Sequence, residues 1–195
     1  MKAVVRRIGL ALIGIGLAFL AIAQIRSRTA TPEISHGRVP DFSLTESSGR
    51  TVRLQDLNGK VWVADFIFTS CAGTCPAMTA QMRRLQDALP GDIDLVSFSV
   101  DPRRDTPEVL ARYAKQFHAD PSRWMFLTGD HDTLYNLSIN GFKLALDGMS
   151  GTQEEPITHS SRFVLVDRAG QIHAYYSGTE EADFKQLVRD AKSLS

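Results

Sequence analysis

Two cysteines, and only two, occur in the 195 residues, and they stand together in Thr69-Ser70-Cys71-Ala72-Gly73-Thr74-Cys75-Pro76. A thiol pair at this spacing can exchange with other disulfides or capture a soft metal ion as paired thiolates. The bland alternative is a structural staple, common in exported proteins. Loop-closure entropy weakens it: a ring this short stabilises a fold by about 2 kcal/mol, against nearly 5 for a ring closing a long loop. A chain of this length has an ample apolar core and gains little from so local a link.

Exchange and metal capture differ in what else they need. Dithiol exchangers usually keep two residues between their cysteines, whereas this chain keeps three. Structural zinc takes four protein ligands, and only two sulfurs are on offer. Two thiolates favour Cu(I), and cysteine with histidine suits copper generally. A third donor must then come from His36, His118, His131, His159 or His173. His36 lies in a polar stretch, His118 ends a predicted helix, His131 opens another and His173 falls within a predicted strand. His159 stands in Ile157-Thr158-His159-Ser160-Ser161, just before a strand, and from position alone reads more readily as a solvated loop histidine than as a ligand. Met78 and Met82 lie one turn apart and Met149 in a Gly-rich turn; packing is the expected role of the first two and exposure that of the third.

The elements that must hold these residues follow from hydrophobic period. Val61 to Phe68 is a nearly continuous apolar run that suits a strand buried on both faces, with Trp62, Phe66 and Phe68 in the core. A helix from Pro76 to Leu89 follows, Met78, Met82, Leu85 and Leu89 along one side. That places Cys75 near the N-cap and Cys71 in the loop before it, where the helix dipole favours a thiolate. Gly73 is expected to let the loop bend. Ile93–Val100 is a second buried strand; Thr106 with Pro107 reads as a cap opening a helix to about Phe117. Trp124–Leu127 is a short strand and Asp132–Ile139 a helix. Phe42–Leu44 with Thr51–Leu54, and Phe163–Val166 with Ile172–Tyr176, read as hairpins, and Ala182–Leu194 as a closing helix. The order predicts a thioredoxin-like α/β fold: a mixed central sheet, helices on both sides, and the cysteines at the carboxyl edge where such sheets bind ligands.

The chain carries 22 basic and 22 acidic side chains. This balance argues against nucleic acid as a partner. Five of the basic residues (Lys2, Arg6, Arg7, Arg26, Arg28) fall within residues 1–30, which hold no acid; the remaining 17 face 22 acids, a net of −5. Ile8 to Ile25 is free of charge, and a helix of that length spans roughly 27 Å, close to the ~30 Å hydrocarbon core. Residues 1–26 therefore read as an N-terminal transmembrane helix with the N-terminus inside, and the rest of the chain exported. Ala21-Ile22-Ala23 would serve as a cleavage site if the segment were instead a signal peptide. Residues 27–38 read as a tether, and 39–195 as one domain.

Three stretches in order, Thr69-Ser70-Cys71 to Cys75-Pro76, Ser99-Val100-Asp101-Pro102-Arg103-Arg104-Asp105-Thr106-Pro107 and Thr158-His159-Ser160-Ser161, resemble the SCO/SenC family of copper chaperones. The resemblance spans roughly residues 40 to 190. It implies a thioredoxin fold, a single membrane anchor and a copper site, Cu(I) or Cu(II), formed by Cys71, Cys75 and His159. Asp101 is then a second-shell or partner-contact residue, unless Asp101-Pro102 simply turns the chain. The family acts in cytochrome c oxidase assembly, delivering copper to the binuclear centre of subunit II or keeping its thiols reduced. The implied partners are that subunit and other periplasmic copper carriers or thiol reductants; the implied location is the inner membrane, with the domain in the periplasm. Residues 141–156 exceed what a minimal thioredoxin fold needs, and in the family a comparable insertion carries the histidine. The competing expectation is a periplasmic thiol–disulfide oxidoreductase using Cys71 and Cys75 alone. The active-site pattern of peroxiredoxins is matched around neither cysteine.

Overall fold

Apolar residues in consecutive positions, rather than alternate ones, build the centre of the molecule. Trp62–Ile67 (β3), Asp94–Ser99 (β4) and Trp124–Thr128 (β5) are buried at every position. β3 pairs parallel with β4, and β4 parallel with β5. Both faces of these strands must therefore be covered. The computed structural model describes residues 36–144 and 160–195. The apolar leader, all but the last residues of the tether, Met149 and His159 lie outside the described residues.

The flanking elements supply the cover. Ser43–Glu46 (β1) and Thr51–Arg53 (β2) form the expected hairpin, and β1 continues antiparallel onto β5. Arg162–Val166 (β6) runs antiparallel along β3, and Ile172–Ser177 (β7) antiparallel along β6. The resulting seven-stranded mixed sheet has the order β2-β1-β5-β4-β3-β6-β7. Thr74–Ala88 (α1), Pro107–Gln116 (α2) and Glu181–Leu194 (α4) bury Met78, Met82 and Leu85, Leu110 and Tyr113, and Phe184 and Leu187 against Val63, Ile67, Leu95 and Phe126. On the other face Trp62, Phe66, Phe98 and Phe142 pack with Leu54 and Leu57 of a short 3-10 helix and with Leu134 of His131–Asn136 (α3). The Phe66 and Phe98 rings stack at 5.1 Å.

Two boundaries depart from expectation. The first helix begins at Thr74 with Gly73 as its cap, not at Pro76. A proline is tolerated throughout the first turn because those amides have no helical acceptor, so Pro76 does not mark the start. The helix predicted over Asp132–Ile139 is α-helical only to Asn136. It widens into a π turn over Leu137–Gly141, closed by the Phe142 amide on the Leu137 carbonyl at 2.8 Å. The cap on α2 falls where the sequence places it: Thr106 Oγ1 accepts from the Val109 amide, with Pro107 in the first turn.

Candidate functional site

β3 delivers the chain to the sheet's carboxyl edge at Ile67, and α1 carries it away again from Thr74. Cys71 lies in the loop between, its amide donating to the Phe68 carbonyl at 3.2 Å. Cys75 is the second residue of α1, two positions past its cap. Neither cysteine is in a disulfide; Cys71 is partly exposed and Cys75 buried. Gly73, expected to bend the loop, keeps a negative φ of −106°. A Cβ there would clear Cys71 Sγ by 3.9 Å.

The two thiols are unlike. Burial pushes the Cys71 thiol up, but the backbone amides of Cys75, Gly73 and Thr74 and the Cys75 thiol together bring it below the ordinary cysteine value. That is the effect of a helix N-terminus on an anion. Burial pushes the Cys75 thiol far up, and the charges of Cys71 and Asp65 add to this, while a backbone hydrogen bond at Phe68 offsets part. The outer sulfur is thus the more acidic of the two, and the inner one is held as the thiol by its burial.

Beneath the pair lie polar groups that the sequence reading did not single out. Asp65 is fully buried on β3, and neither carboxylate oxygen has a hydrogen-bond partner of normal geometry. Desolvation raises it to about 7, and the Ser97 hydroxyl, on its register partner in β4, offsets part of the rise. Thr79 Oγ1 donates to the Cys75 carbonyl at 2.9 Å and shares a 2.8 Å hydrogen bond with the Tyr113 hydroxyl. The available signal was a lone acid inside an otherwise apolar strand. Asp105 is also fully buried and holds the loop at Thr69, a role that its place in the sequence does not announce.

Asp101 sits at the same edge, just past β4. Its carboxylate accepts from Arg104 at 3.1 Å, and its carbonyl accepts from the Arg104 and Asp105 amides, so it does turn the chain. Met78 and Met82 are fully buried core residues, as expected. Of the described histidines, His173 is the second residue of β7, at the end of the sheet away from the cysteine loop, and His36 packs edge-on against Tyr175 nearby at 5.0 Å. His118 follows the far end of α2. His131 opens from the same edge, following β5, but two strands from β3, roughly 10 Å sideways, with its ring paired to Asp132 at 3.1 Å. Among the described residues no three metal-type side chains converge.

The register of β6 matters most. Trp62 lies opposite Val166 and Ala64 opposite Val164, so the antiparallel ladder brings the beginning of β6 to the end of β3 that carries the cysteine loop. The Gly178 amide bonds the Ser161 carbonyl at 2.7 Å. A Cβ on Gly178 would lie 3.0 Å from both Ser161 O and Met78 Cγ. Ser161 is thus packed close to the helix face one turn beyond Cys75.

A reduced, asymmetric dithiol at a helix N-terminus, on a seven-stranded thioredoxin-like sheet, defines a dithiol protein of the redox or soft-metal class. The SCO1/SenC family model matches residues 32–194, and the chain belongs to that family. It is 34% identical over 184 residues to an SCO1 protein homolog of Bacillus subtilis (strain 168), covering 92% of this chain and 94% of the relative. Its fold superposes with a TM-score of 0.73 and 34% identity on BsSco, described as carrying a disulfide switch and as a member of the Sco family of cytochrome c oxidase assembly proteins; 84% of this chain and 96% of that one are covered. Arabidopsis thaliana ScoI, solved with copper bound, matches with a TM-score of 0.66 at 25% identity over 78% of this chain and 95% of that one.

Proposed function

We propose that this chain is a membrane-tethered copper carrier for cytochrome c oxidase assembly, its domain in the periplasm. Copper is its cargo: Cys71 and Cys75 supply two thiolates, His159 the third donor, and the binuclear centre of subunit II is the recipient. The observation that carries this reading is the β3–β6 register. It supports the reading because β6 begins, at Arg162, on the edge of the sheet that holds the dithiol. Family membership and the copper-bound relative support the choice of metal. The exposure of Cys71 suits a site that must hand its ion on. Three donors leave copper open to attack by an incoming thiolate.

The test is transfer. Copper-loaded protein mixed with metal-free subunit II should lose its metal as the binuclear centre's spectrum appears. Retention of copper by the donor in the presence of reduced, empty acceptor would defeat the delivery role.

The asymmetry of the thiols favours a second reading, dithiol reduction of the subunit II cysteines. The Cys71 thiolate attacks one sulfur of the target disulfide and releases the other as thiolate. Cys75 then loses its proton and attacks Cys71 Sγ, leaving the target dithiol and a Cys71–Cys75 disulfide. Two electrons pass to the target. Disulfide reduction by the copper-free protein, undiminished in His159→Ala, would favour this reading.

A further inference from the structure

Asp105 has an odd situation for a carboxylate. It is 0% exposed, yet its hydrogen bonds come from neutral donors: the Thr69 amide at 3.1 Å, the Thr69 hydroxyl at 2.5 Å and the Ser99 hydroxyl at 2.6 Å. Burying an anion among neutral groups costs several kcal/mol unless its hydrogen bonds are good. An apolar side chain at this point would fill the space without that cost. What it would not do is grip Thr69, two residues before Cys71 and the second residue after β3 ends. The grip is anchored on the other side as well. The Asp105 amide donates to the Asp101 carbonyl at 2.9 Å, and the Asp101 amide to Ser99 Oγ at 3.1 Å. The β4–α2 turn and the end of β4 thus form one hydrogen-bonded block that holds the beginning of the cysteine loop. The end of that loop is fixed by α1. Between Thr69 and the start of α1 only Ser70, Cys71, Ala72 and Gly73 remain, so the position of the outer sulfur depends on where Thr69 is held.

We propose that Asp105 is the positioning residue of the dithiol: its carboxylate, by clamping Thr69, sets the separation and direction of Cys71 Sγ relative to Cys75. Its carboxylate acts through its hydrogen bonds to Thr69 and Ser99. The proposal rests on the reading of Cys71 and Cys75 as a working copper and thiol centre. An amide at this position accepts through one oxygen only, so Asp105→Asn leaves either Thr69 or Ser99 without an acceptor and frees the loop.

The experiment uses the reduced full chain in detergent and three readouts: Cu(I) affinity by competition with a chromophoric chelator, the Cu(II)–thiolate charge-transfer absorption, and the alkylation rate of Cys71 at pH 7. Asp105→Asn is expected to weaken Cu(I) binding about tenfold, as befits one lost buried charge-assisted bond, and to shift the charge-transfer band. Cys71 alkylation should change at least severalfold. Thr69→Ser, which keeps both donors, should retain wild-type values, while Thr69→Val, which keeps only the amide, should fall between wild type and Asp105→Asn. Val52→Ala, a buried truncation on β2 remote from the site, controls for general loss of stability. The proposal is overturned if folded Asp105→Asn matches wild type within twofold in affinity and alkylation with an unmoved band, or if Val52→Ala changes them as much. Should Asp105→Asn not fold, Thr69→Val against Thr69→Ser decides by the same criteria. Failure of the wild-type chain to bind copper would sink the copper reading alone, and the alkylation rates would still judge Asp105.

Discussion

Cys71 and Cys75 share a loop and a helix end, but they meet different surroundings. Alkylation of the reduced chain at neutral pH, followed by peptide mass analysis, should label Cys71 at least about tenfold faster than Cys75, because thiolate fraction and access both favour it. Equal labelling would contradict the asymmetry. Asp65 makes a second, separate prediction. Its ordinary value is 3.8 and burial raises it to about 7, so the folded chain holds this proton more tightly than the unfolded one. The associated stability is complete below about pH 4 and is lost as pH rises to 7, a few kcal/mol at about 1.4 per unit. Asp65→Asn, neutral throughout, should therefore gain several degrees in Tm relative to wild type as pH goes from 4 to 7. A difference in Tm that stays flat across that range would refute the buried, protonated carboxyl.

At the level of elements, the strands were the most legible part. Continuous apolar runs at residues 61–68 and 93–100 and two turn-separated pairs gave β3, β4 and both hairpins, because a strand covered on both faces has no polar register to hide. The Thr106-Pro107 cap was legible for the same local reason. Thr106→Ala should lower stability by about 1 kcal/mol, a drop of roughly 2–4 °C in Tm for a chain of this size; an unchanged Tm would mean the 3.4 Å cap bond contributes nothing. Less legible was whatever depends on packing rather than pattern. Pro76 suggests a helix start because proline favours the first position, yet the helix begins two residues earlier. The π turn after Asn136 has no periodic signature. The roles of Asp65 and Asp105 arise from burial, which no single sequence position announces. The dithiol itself was plain from spacing, whereas the approach of β6 to it is a property of strand register.

On the scale of the whole chain, the apolar stretch from Ile8 to Ile25 predicts that the full-length protein sediments with membranes and is released by detergent but not by alkaline carbonate. Release by carbonate would leave a cleaved leader or a peripheral association instead. The proposed copper site requires three donors from two distant stretches of sequence to meet on one ion. Copper stoichiometry of the reduced, detergent-solubilised full chain measures this directly, with Cys71→Ser, Cys75→Ser, His159→Ala and His173→Ala in parallel. One copper per wild-type chain is expected, with none retained by either serine variant, a large loss of affinity in His159→Ala and none in His173→Ala. Undiminished copper binding without Cys71, or His159→Ala and His173→Ala behaving alike, would contradict the account.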